Sequence, residues 1–214
     1  WLALWICFQV SKGEPVWGLT TTPGTVLYLC LEDSYTRIQN RLFQLTDDAP
    51  NTLHFANLSG SIGDGLENQI TAFLSEHPDT NLVVIDTLQK IRDIIPDKNS
   101  YASDYRDLSS LKNLAESHHI AILLVHHLRK MKDDDPMNMI SGTTGLSGAA
   151  DSNFVLKRKD RNSPQAELHC TGRDIESRVL ELCFQKKTHT WELSQPIESK
   201  KSAADPELLF LSEF

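Results

Sequence analysis

Short, continuous apolar runs alternate with amphipathic segments over most of the chain, and this alternation constrains the fold more than any other feature. TVLYLCL at 25–31, between a Pro-Gly pair and acidic residues, is typical of a strand buried on both faces. NLVVID at 81–86 and IAILLVHH at 120–127 have the same character, and TLHFANL at 52–58 is a shorter strand. Strands and helices that alternate with short connections form parallel sheets. We therefore predict an α/β fold, a parallel β-sheet core flanked by helices.

Four segments have the periodicity of amphipathic helices. Three of them lie at 34–45, 63–77 and 101–119, and Ser34 can cap the first. WLALWICFQV at 1–10 repeats apolar residues at the spacing that places them on one side of a helix. Because SKGEP follows, with a Gly and then a Pro, we expect this helix to end there.

After residue 150 the helices are missing and four short β-rich segments are separated by polar turns: SNFVLKRKD, QAELHCTGR, SRVLELCFQ and THTWELS. Such segments predict antiparallel strands that extend one edge of the sheet. From Pro196 the chain turns polar and then ends in an apolar helical stretch. We assign 1–194 to one core domain and 195–214 to a C-terminal tail or linker helix.

The composition narrows the classes of partner. The formal net charge of −8 argues against a broadly basic nucleic-acid coat but leaves room for a local basic groove. No apolar run approaches the roughly 20 residues of a membrane span, and no leader with a cleavage site is visible. The cysteines show no metal-site spacing and stand in apolar runs, which predicts buried, reduced thiols. We therefore expect a cytoplasmic protein with no membrane partner.

Three of the apolar runs end in polar residues that a hydrophobic core would not select: Glu32-Asp33, Asp86-Thr87 and His126-His127. Ligands of open parallel sheets bind beyond the carboxyl ends of the strands. These three strand ends are therefore the predicted position of the functional site.

Two of these ends carry acidic side chains with two possible roles each. LVVID, which ends in Asp86, is the pattern of a Walker B strand, whose carboxylate holds Mg²⁺ beside nucleotide phosphates. A carboxylate at Glu32 can polarise the water that attacks a γ-phosphate. Alternatively, Asp86 caps a following helix, and Glu32 only complements the dipole of the helix that begins near Ser34.

The third end carries two histidines and leads into a long loop. Adjacent side chains of a strand point to opposite faces, so His126 and His127 cannot readily bind one metal ion together. One of them should face the ligand crevice, where a polar donor can sense a γ-phosphate. The following loop, at 128–148, is charged and rich in Gly and Ser, and loops of this length are usually functional or disordered.

In order and spacing these motifs resemble the RecA-like ATPase core, specifically the bacterial plasmid- and phage-type branch close to the RepA hexameric helicase. The resemblance is carried by WLALWICFQVSKGEPVWGLTTTPGTVLYLCLEDS, NLVVIDTLQKI, AILLVHHLRKMKDDD, GTTGLSGAADSNFVLKRKD and TGRD. It extends from residue 1 to about residue 194.

The resemblance implies ATP and Mg²⁺ as cofactors and assigns roles to the strand ends. Glu32 corresponds to the catalytic base and Asp86 to the Walker B partner of magnesium. His127 matches the sensor position, and His126 is the second choice because register predictions can slip by one residue.

The family also implies a ring oligomer, such as a hexamer, in which a basic finger reaches the neighbouring subunit's nucleotide. Arg173 in CTGRDIES matches that position, and Arg158 or Lys159 are the alternatives that could contact nucleotide. From its sequence context alone, Arg173 is equally well explained as the arginine of a hairpin turn.

The segment from Arg129 to Gly148 matches the one that meets DNA in RecA-like rings. Its Arg129, Lys130 and Lys132 can contact the phosphates of single-stranded DNA. The adjacent acidic triplet at 133–135 opposes such contacts. The sequence therefore supports DNA binding less strongly than it supports ATP hydrolysis.

Two functions follow from the resemblance. The first is the motor domain of a replication-associated DNA helicase or DNA-dependent ATPase of a plasmid, phage or other mobile element. The second is a regulatory or assembly ATPase without helicase activity, as in KaiC-like proteins. The family places a P-loop directly ahead of the helix at 1–10, and this sequence contains no G-x-x-x-x-G-K-S/T motif. These 214 residues alone are therefore expected to bind nucleotide poorly and to hydrolyse little.

Overall fold

The computed structural model describes residues 1–92, 100–130, 133–142, 144–158, 160 and 162–195. The helices are α1 (Leu2–Lys12), α2 (Tyr35–Leu45), α3 (Leu66–Glu76), α4 (Ser100–His118) and α5 (Thr144–Ala149), with short 3₁₀ turns at Leu88–Lys90 and Pro136–Met139. The strands are β1 (Thr25–Cys30), β2 (Leu53–Ala56), β3 (Thr80–Asp86), β4 (Ala121–Val125), β5 (Ser152–Arg158), β6 (Gln165–Gly172), β7 (Arg178–Gln185) and β8 (Thr190–Leu193). No helix of the described segments combines the length and the apolar character needed to cross a membrane. The predicted tail lies outside the described residues from residue 196 onward.

Strands β1 to β4 form a parallel sheet in the order β2-β1-β3-β4. Alternate side chains of β1 and β3 enter two separate cores, because successive residues of a strand point to opposite faces. Leu29 and Ile85 pack with α3, α4 and α5 on one face, whereas Tyr28 and Val84 pack with α1 and α2 on the other. Every residue of β1 is buried. The predicted parallel sheet with flanking helices is confirmed.

Helix α1 ends and helix α2 begins where the capping residues in the sequence predict. Gly13 adopts a left-handed conformation with φ 69°, and its N–H donates to the carbonyl of Val10, which ends α1. The hydroxyl of Ser34 accepts a hydrogen bond from the backbone N–H of Arg37 at 3.3 Å and so caps α2. Both helices pack against the same face of the parallel sheet.

The last four strands pair with one another as an antiparallel sheet in the order β5-β6-β7-β8. Its small core, centred on Leu168, Leu182 and Trp191, packs against Leu2 and Trp17. The indole N–H of Trp17 donates to the carbonyl of Trp191 at 2.7 Å and fastens this sheet to the segment after α1. The antiparallel pairing is as predicted. These strands were predicted to extend one edge of the parallel sheet, but they form a second, separate sheet. Among the described strands, β5 pairs only with β6, and β4 pairs only with β3.

Candidate nucleotide site

The carboxyl ends of β1, β3 and β4 lie side by side and bring three predicted site residues to one edge of the parallel sheet. Cys30, Asp86 and Val125 are register partners across these strands. Glu32 follows β1 by two residues, and His127 follows β4 by two residues. The side chains of Glu32, Asp86 and His127 therefore emerge at the edge where ligands of such sheets bind.

Glu32 is the centre of a small polar cluster. Its Oε1 accepts a hydrogen bond from the hydroxyl of Thr87 at 3.1 Å and lies 3.6 Å from Nε2 of His127. The Glu32 and His127 side chains are 38% and 64% exposed, whereas Thr87 is 2% exposed. The cluster thus joins one buried hydroxyl to two groups that solvent or a ligand can reach. We call Glu32, Asp86, Thr87 and His127 the carboxyl-end cluster.

Asp86 is oriented by a buried tyrosine. The hydroxyl of Tyr28, which is 2% exposed, donates to Oδ2 of Asp86 at 2.6 Å. Burial, followed by the negative charge of Asp86, raises the pKa of the Tyr28 hydroxyl far above its ordinary value. The tyrosine therefore stays protonated and remains a hydrogen-bond donor. Oδ1 of Asp86 has no hydrogen bond from the described residues, so one carboxylate oxygen is available to a cation or its water.

The start of α1 lies beside this cluster. The backbone nitrogen of Trp1 lies near the carboxylates of Asp86 and Asp33. The Trp1 ring stacks on His189 at 4.6 Å between centroids, and the guanidinium of Arg41 lies 5.7 Å from the Trp1 ring. An open groove of about 460 Å³ runs along α2 from this point, lined by Trp1, Ser34, Thr36, Arg37, Asn40, Arg41 and Gln44.

His126 and His127 diverge from the end of β4, as the alternation of strand side chains predicts. Nε2 of His126 lies 2.7 Å from the carbonyl oxygen of Ser141, which can only accept, so Nε2 carries the proton. Nδ1 of His126 is buried without a hydrogen-bond partner among the described residues. The backbone N–H of Ser141 donates to the carbonyl of His127 at 3.2 Å. Ser141, which sequence reasoning did not single out, thus ties the far end of the loop to both histidines.

The segment predicted to meet DNA, from Arg129 to Gly148, makes several hydrogen bonds within itself. Leu128 and Ile140 form an antiparallel bridge, and the guanidinium of Arg129 donates to the carbonyl of Gly142. Lys130 is exposed, whereas Lys132 lies outside the described residues. Asp133 accepts hydrogen bonds from the backbone N–H of Asp135 and the amide of Asn138, and these bonds lower the pKa of its carboxyl. Part of the acidic triplet therefore shapes the loop itself.

The two predicted arginines of the second sheet have partners of their own. The guanidinium of Arg173 donates to the carbonyl of Gly148 at 3.3 Å and lies 3.7 Å from the carboxylate of Asp151. Its side chain is 55% exposed. The guanidinium of Arg158 lies 5.0 Å from the ring of Trp191. Within the described segments neither arginine contacts the carboxyl-end cluster, and the alternative Lys159 lies outside them.

Thr87 is the member of the cluster to which the sequence analysis assigned no role, although it belongs to one of the three polar strand ends. The available signal was its position directly after Asp86 at the end of a buried strand. Among the described residues, no group of three or more His, Cys, Asp and Glu side chains is placed to hold a metal ion. A cation at Asp86 therefore needs further ligands, and phosphate oxygens and water are the usual ones for Mg²⁺.

Comparisons with known proteins bear on the fold and on the family of the chain. A search of curated protein sequences gave no match. Among solved structures, one match is a DnaB-like replicative helicase that is described with its primase interactions. The TM-score is 0.65 and the sequence identity is 15%. The match covers 79% of this chain but only 51% of the helicase chain. A separately solved ATPase domain matches with the same score and identity, over 79% of this chain and 74% of that one. A KaiC-like protein from the archaeon Pyrococcus horikoshii matches with a TM-score of 0.58 and 10% identity, over 88% and 80%.

At these identities the structural matches establish the fold, which is the RecA-like fold that the sequence motifs predicted. The family evidence comes from the sequence. The model of a family described as an AAA domain matches residues 1–133, well over half of the chain. This match spans α1, the whole parallel sheet and the three strand ends of the candidate site. The chain therefore belongs to the AAA domain family, and its parallel sheet is the core of a RecA-like ATPase domain.

Proposed function

We propose that this chain is the ATP-hydrolysing motor core of a replication-associated DNA helicase or DNA-dependent ATPase of a plasmid, phage or other mobile element. The observation that carries the proposal is the convergence of Glu32, Asp86 and His127 at one edge of the sheet. Family membership and the likeness to the DnaB-like helicase support the same reaction class. The chain spans about half the length of that helicase, so the whole-protein activity is part of the proposal.

The residues present fit a nucleotide with its magnesium ion. ATP bound with Mg²⁺ supplies the γ-phosphoryl group and the charge that favours its transfer. Asp86, with Tyr28 on one oxygen and its other oxygen open, would hold the cation directly or through water. Glu32 would take the proton of the attacking water. The imidazole of His127, 3.6 Å from Glu32, would donate a hydrogen bond to the transferred group and so sense it.

Phosphate binding requires a further segment, for which the open edge of β4 offers a position. In the described sheet β4 pairs only with β3, and its residues are exposed or half-buried although all five are apolar. We propose that a strand leading into a phosphate-binding loop pairs with this edge and delivers that loop to the start of α1. Without such a segment the chain would bind ATP weakly and turn it over little.

A regulatory or assembly ATPase that does not unwind DNA is the second candidate. The KaiC-like structure covers more of this chain than the DnaB-like helicase does, which supports keeping it. The guanidinium of Arg129, one of the three cations predicted to meet DNA, donates to the carbonyl of Gly142, which also favours this candidate.

DNA dependence separates the two candidates. In the full-length protein, the helicase proposal expects ATP turnover to rise at least ~10-fold on adding single-stranded DNA. It also expects binding to weaken steeply with salt, since released counterions drive phosphate contacts. The variants Arg129→Ala and Lys130→Ala should reduce the salt slope. Turnover that is indifferent to DNA at low salt would favour the regulatory ATPase.

A ring with shared sites is part of the proposal, with Arg173 as the finger that completes a neighbour's site. Because such a finger acts on another chain, Arg173→Ala should leave nucleotide affinity nearly unchanged and lower turnover ~1,000-fold. Mixing it with Glu32→Gln creates interfaces that combine an intact Glu32 with an intact Arg173, which neither parent can form. Regained turnover supports action in trans. A mixture that stays inactive, although mass measurement shows mixed rings, would assign Arg173 to its contacts with Gly148 and Asp151.

A further inference from the structure

The hydroxyl of Thr87 makes one hydrogen bond that links two distant parts of the chain. The side chain is 2% exposed, and its Oγ1 donates to Oε1 of Glu32 at 3.1 Å, across 55 positions of sequence. A threonine hydroxyl can donate its hydrogen bond to a nearby backbone carbonyl, as Thr80 does to the carbonyl of His77 at 2.6 Å. Thr87 instead reaches the carboxylate to which the proposed function gives the role of base.

This contact distinguishes the two oxygens of Glu32. Oε1 faces both the Thr87 hydroxyl and, at 3.6 Å, Nε2 of His127. Oε2 receives no hydrogen bond from the described residues. Because the Glu32 side chain is 38% exposed, its carboxylate could rotate among several orientations without an anchor. The buried donor removes that freedom and leaves one defined oxygen on the open side of the cluster.

We propose that Thr87 is a positioning residue for hydrolysis: it holds Oε1 of Glu32, so that Oε2 is the oxygen that receives a proton from water. The inference rests on the proposed function, in which Glu32 is the base. Thr87 itself touches neither water nor nucleotide in this role. Its effect is to keep the base in one orientation, and misplacement of a reacting group by about 1 Å can slow a reaction about 100-fold.

The chain contains a matched control for the same chemistry. Thr25, which is 3% exposed, donates its hydroxyl to Oδ2 of Asp79 at 2.9 Å, at the opposite end of the same sheet. Thr87→Val and Thr25→Val each remove one buried hydroxyl with little change of shape. Any loss common to both variants is a loss of stability, and any loss specific to Thr87→Val concerns the carboxyl-end cluster.

The first test needs no nucleotide. A double-mutant cycle with Thr87→Val and Glu32→Ala, measured by urea unfolding of the full-length protein, should be non-additive by about fivefold in the unfolding constant, because the two groups share a hydrogen bond. The cycle of Thr25→Val with Asp79→Ala shows the coupling that the method detects for such a bond. Additivity at Thr87 and Glu32, with coupling at Thr25 and Asp79, would overturn the inference.

The second test is turnover of the full-length protein. Thr87→Val should lower kcat ~10- to 100-fold while KM and nucleotide affinity change less than about twofold, since only the orientation of the base is lost. Thr87→Ser, which keeps the hydroxyl, should stay within about threefold of wild type. Thr25→Val should leave kcat unchanged.

Glu32→Gln in the same series separates the two possible failures. If Glu32→Gln hydrolyses ATP normally, the proposed role of Glu32 is wrong. If Glu32→Gln is inactive while Thr87→Val matches Thr25→Val, only the inference about Thr87 is wrong. A Thr87→Ser variant as slow as Thr87→Val would also overturn it, because the hydroxyl would then not be what matters.

Discussion

At the amino end of the parallel sheet the hydroxyl of Thr25 donates to Asp79, and at the carboxyl end the hydroxyl of Thr87 donates to Glu32. The two bonds have the same chemistry and similar lengths, but their surroundings differ. At the amino end the amide of Asn81 donates to the carbonyls of Pro23 and Thr22 at 2.9 and 3.2 Å. At the carboxyl end a second carboxylate and an exposed imidazole stand beside the bond.

We call the amino end of the parallel sheet the sealed end and its carboxyl end the open end. Packing explains the difference between them. A Cβ on Gly24 would lie 2.2 Å from the side-chain nitrogen of Asn81, so the glycine leaves the space that this amide fills. At the other end the chain leaves β1 toward α2 on one face of the sheet, and leaves β3 toward α4 on the other. Diverging connections open a crevice between neighbouring strands. A buried threonine bonded to a carboxylate therefore indicates function only where such a crevice exists.

The largest expected effect tests the open end. In the full-length protein Glu32→Gln should bind ATP and yet turn over at least ~100-fold more slowly, because the variant retains the shape of the side chain and loses the base. Asp79→Asn, the same kind of change at the sealed end, should leave turnover unchanged. Steady-state hydrolysis and equilibrium nucleotide binding measure both. Near-normal turnover by Glu32→Gln would remove the functional difference between the two ends.

The second prediction concerns the cation. Asp86→Asn should weaken nucleotide binding about 10-fold in the presence of Mg²⁺ and change it little in EDTA, because the lost charge acts through the ion. Titrating nucleotide with and without magnesium gives both affinities. The Tyr28 hydroxyl can still donate to the asparagine carbonyl, so the variant should fold normally. An unchanged magnesium dependence would argue that Asp86 serves only the local structure.

Much of this edge could be predicted from the sequence because local signals determine it. The apolar run at 25–31 predicted β1 to within one residue of Thr25–Cys30, and polar residues at strand ends predicted where the cluster lies. The strand order and the partner of Thr87 could not be predicted. They depend on contacts between residues far apart in sequence, and a threonine after a strand has no pattern of its own.

The same limit applies to the basic residues. The sequence predicts that Arg129 faces DNA and that Arg158 can contact nucleotide, and both roles remain predictions. In the structure Arg129 reaches the carbonyl of Gly142, and Arg158 lies over the ring of Trp191, a residue of the last strand. A cationic side chain near a loop is visible in a sequence. Whether the folded loop supplies a carbonyl or a ring for that side chain is decided by tertiary packing.

The third prediction tests the sealed end. Asn81→Ala removes the two hydrogen bonds to Thr22 and Pro23 and should lower the free energy of unfolding by about 1 kcal/mol. Nucleotide affinity and turnover should not change. Asn51→Ala, at an exposed turn where the structure describes no side-chain hydrogen bond, is the control for thermal unfolding. If Asn81→Ala weakened nucleotide binding as much as Asp86→Asn, the two ends would not be independent.

The smallest expected effect is a pH dependence at the sealed end, where His54 packs against His77 at 4.4 Å between ring centroids. Burial, and then the neighbouring His77, lower the pKa of His54 from its ordinary value of 6.5, while the charge of Asp79 acts in the opposite direction. The unfolded chain therefore takes up this proton at a higher pH than the folded chain does. Stability from this site is complete above pH 6.5 and is lost as the pH falls from there toward the lowered pKa. Because His54 is partly exposed, solvent screening should keep the loss below about 1 kcal/mol.

Urea unfolding near neutral pH and again about two pH units lower measures this effect, because the two conditions lie on either side of the ordinary histidine pKa. The decrease in stability should be smaller for His54→Asn than for wild type, since the variant has no imidazole at this position to take up the proton. His118→Gln, at an exposed position on α4, should behave as wild type. Equal decreases in all three proteins would show that the His54–His77 pair does not contribute to the pH dependence of stability.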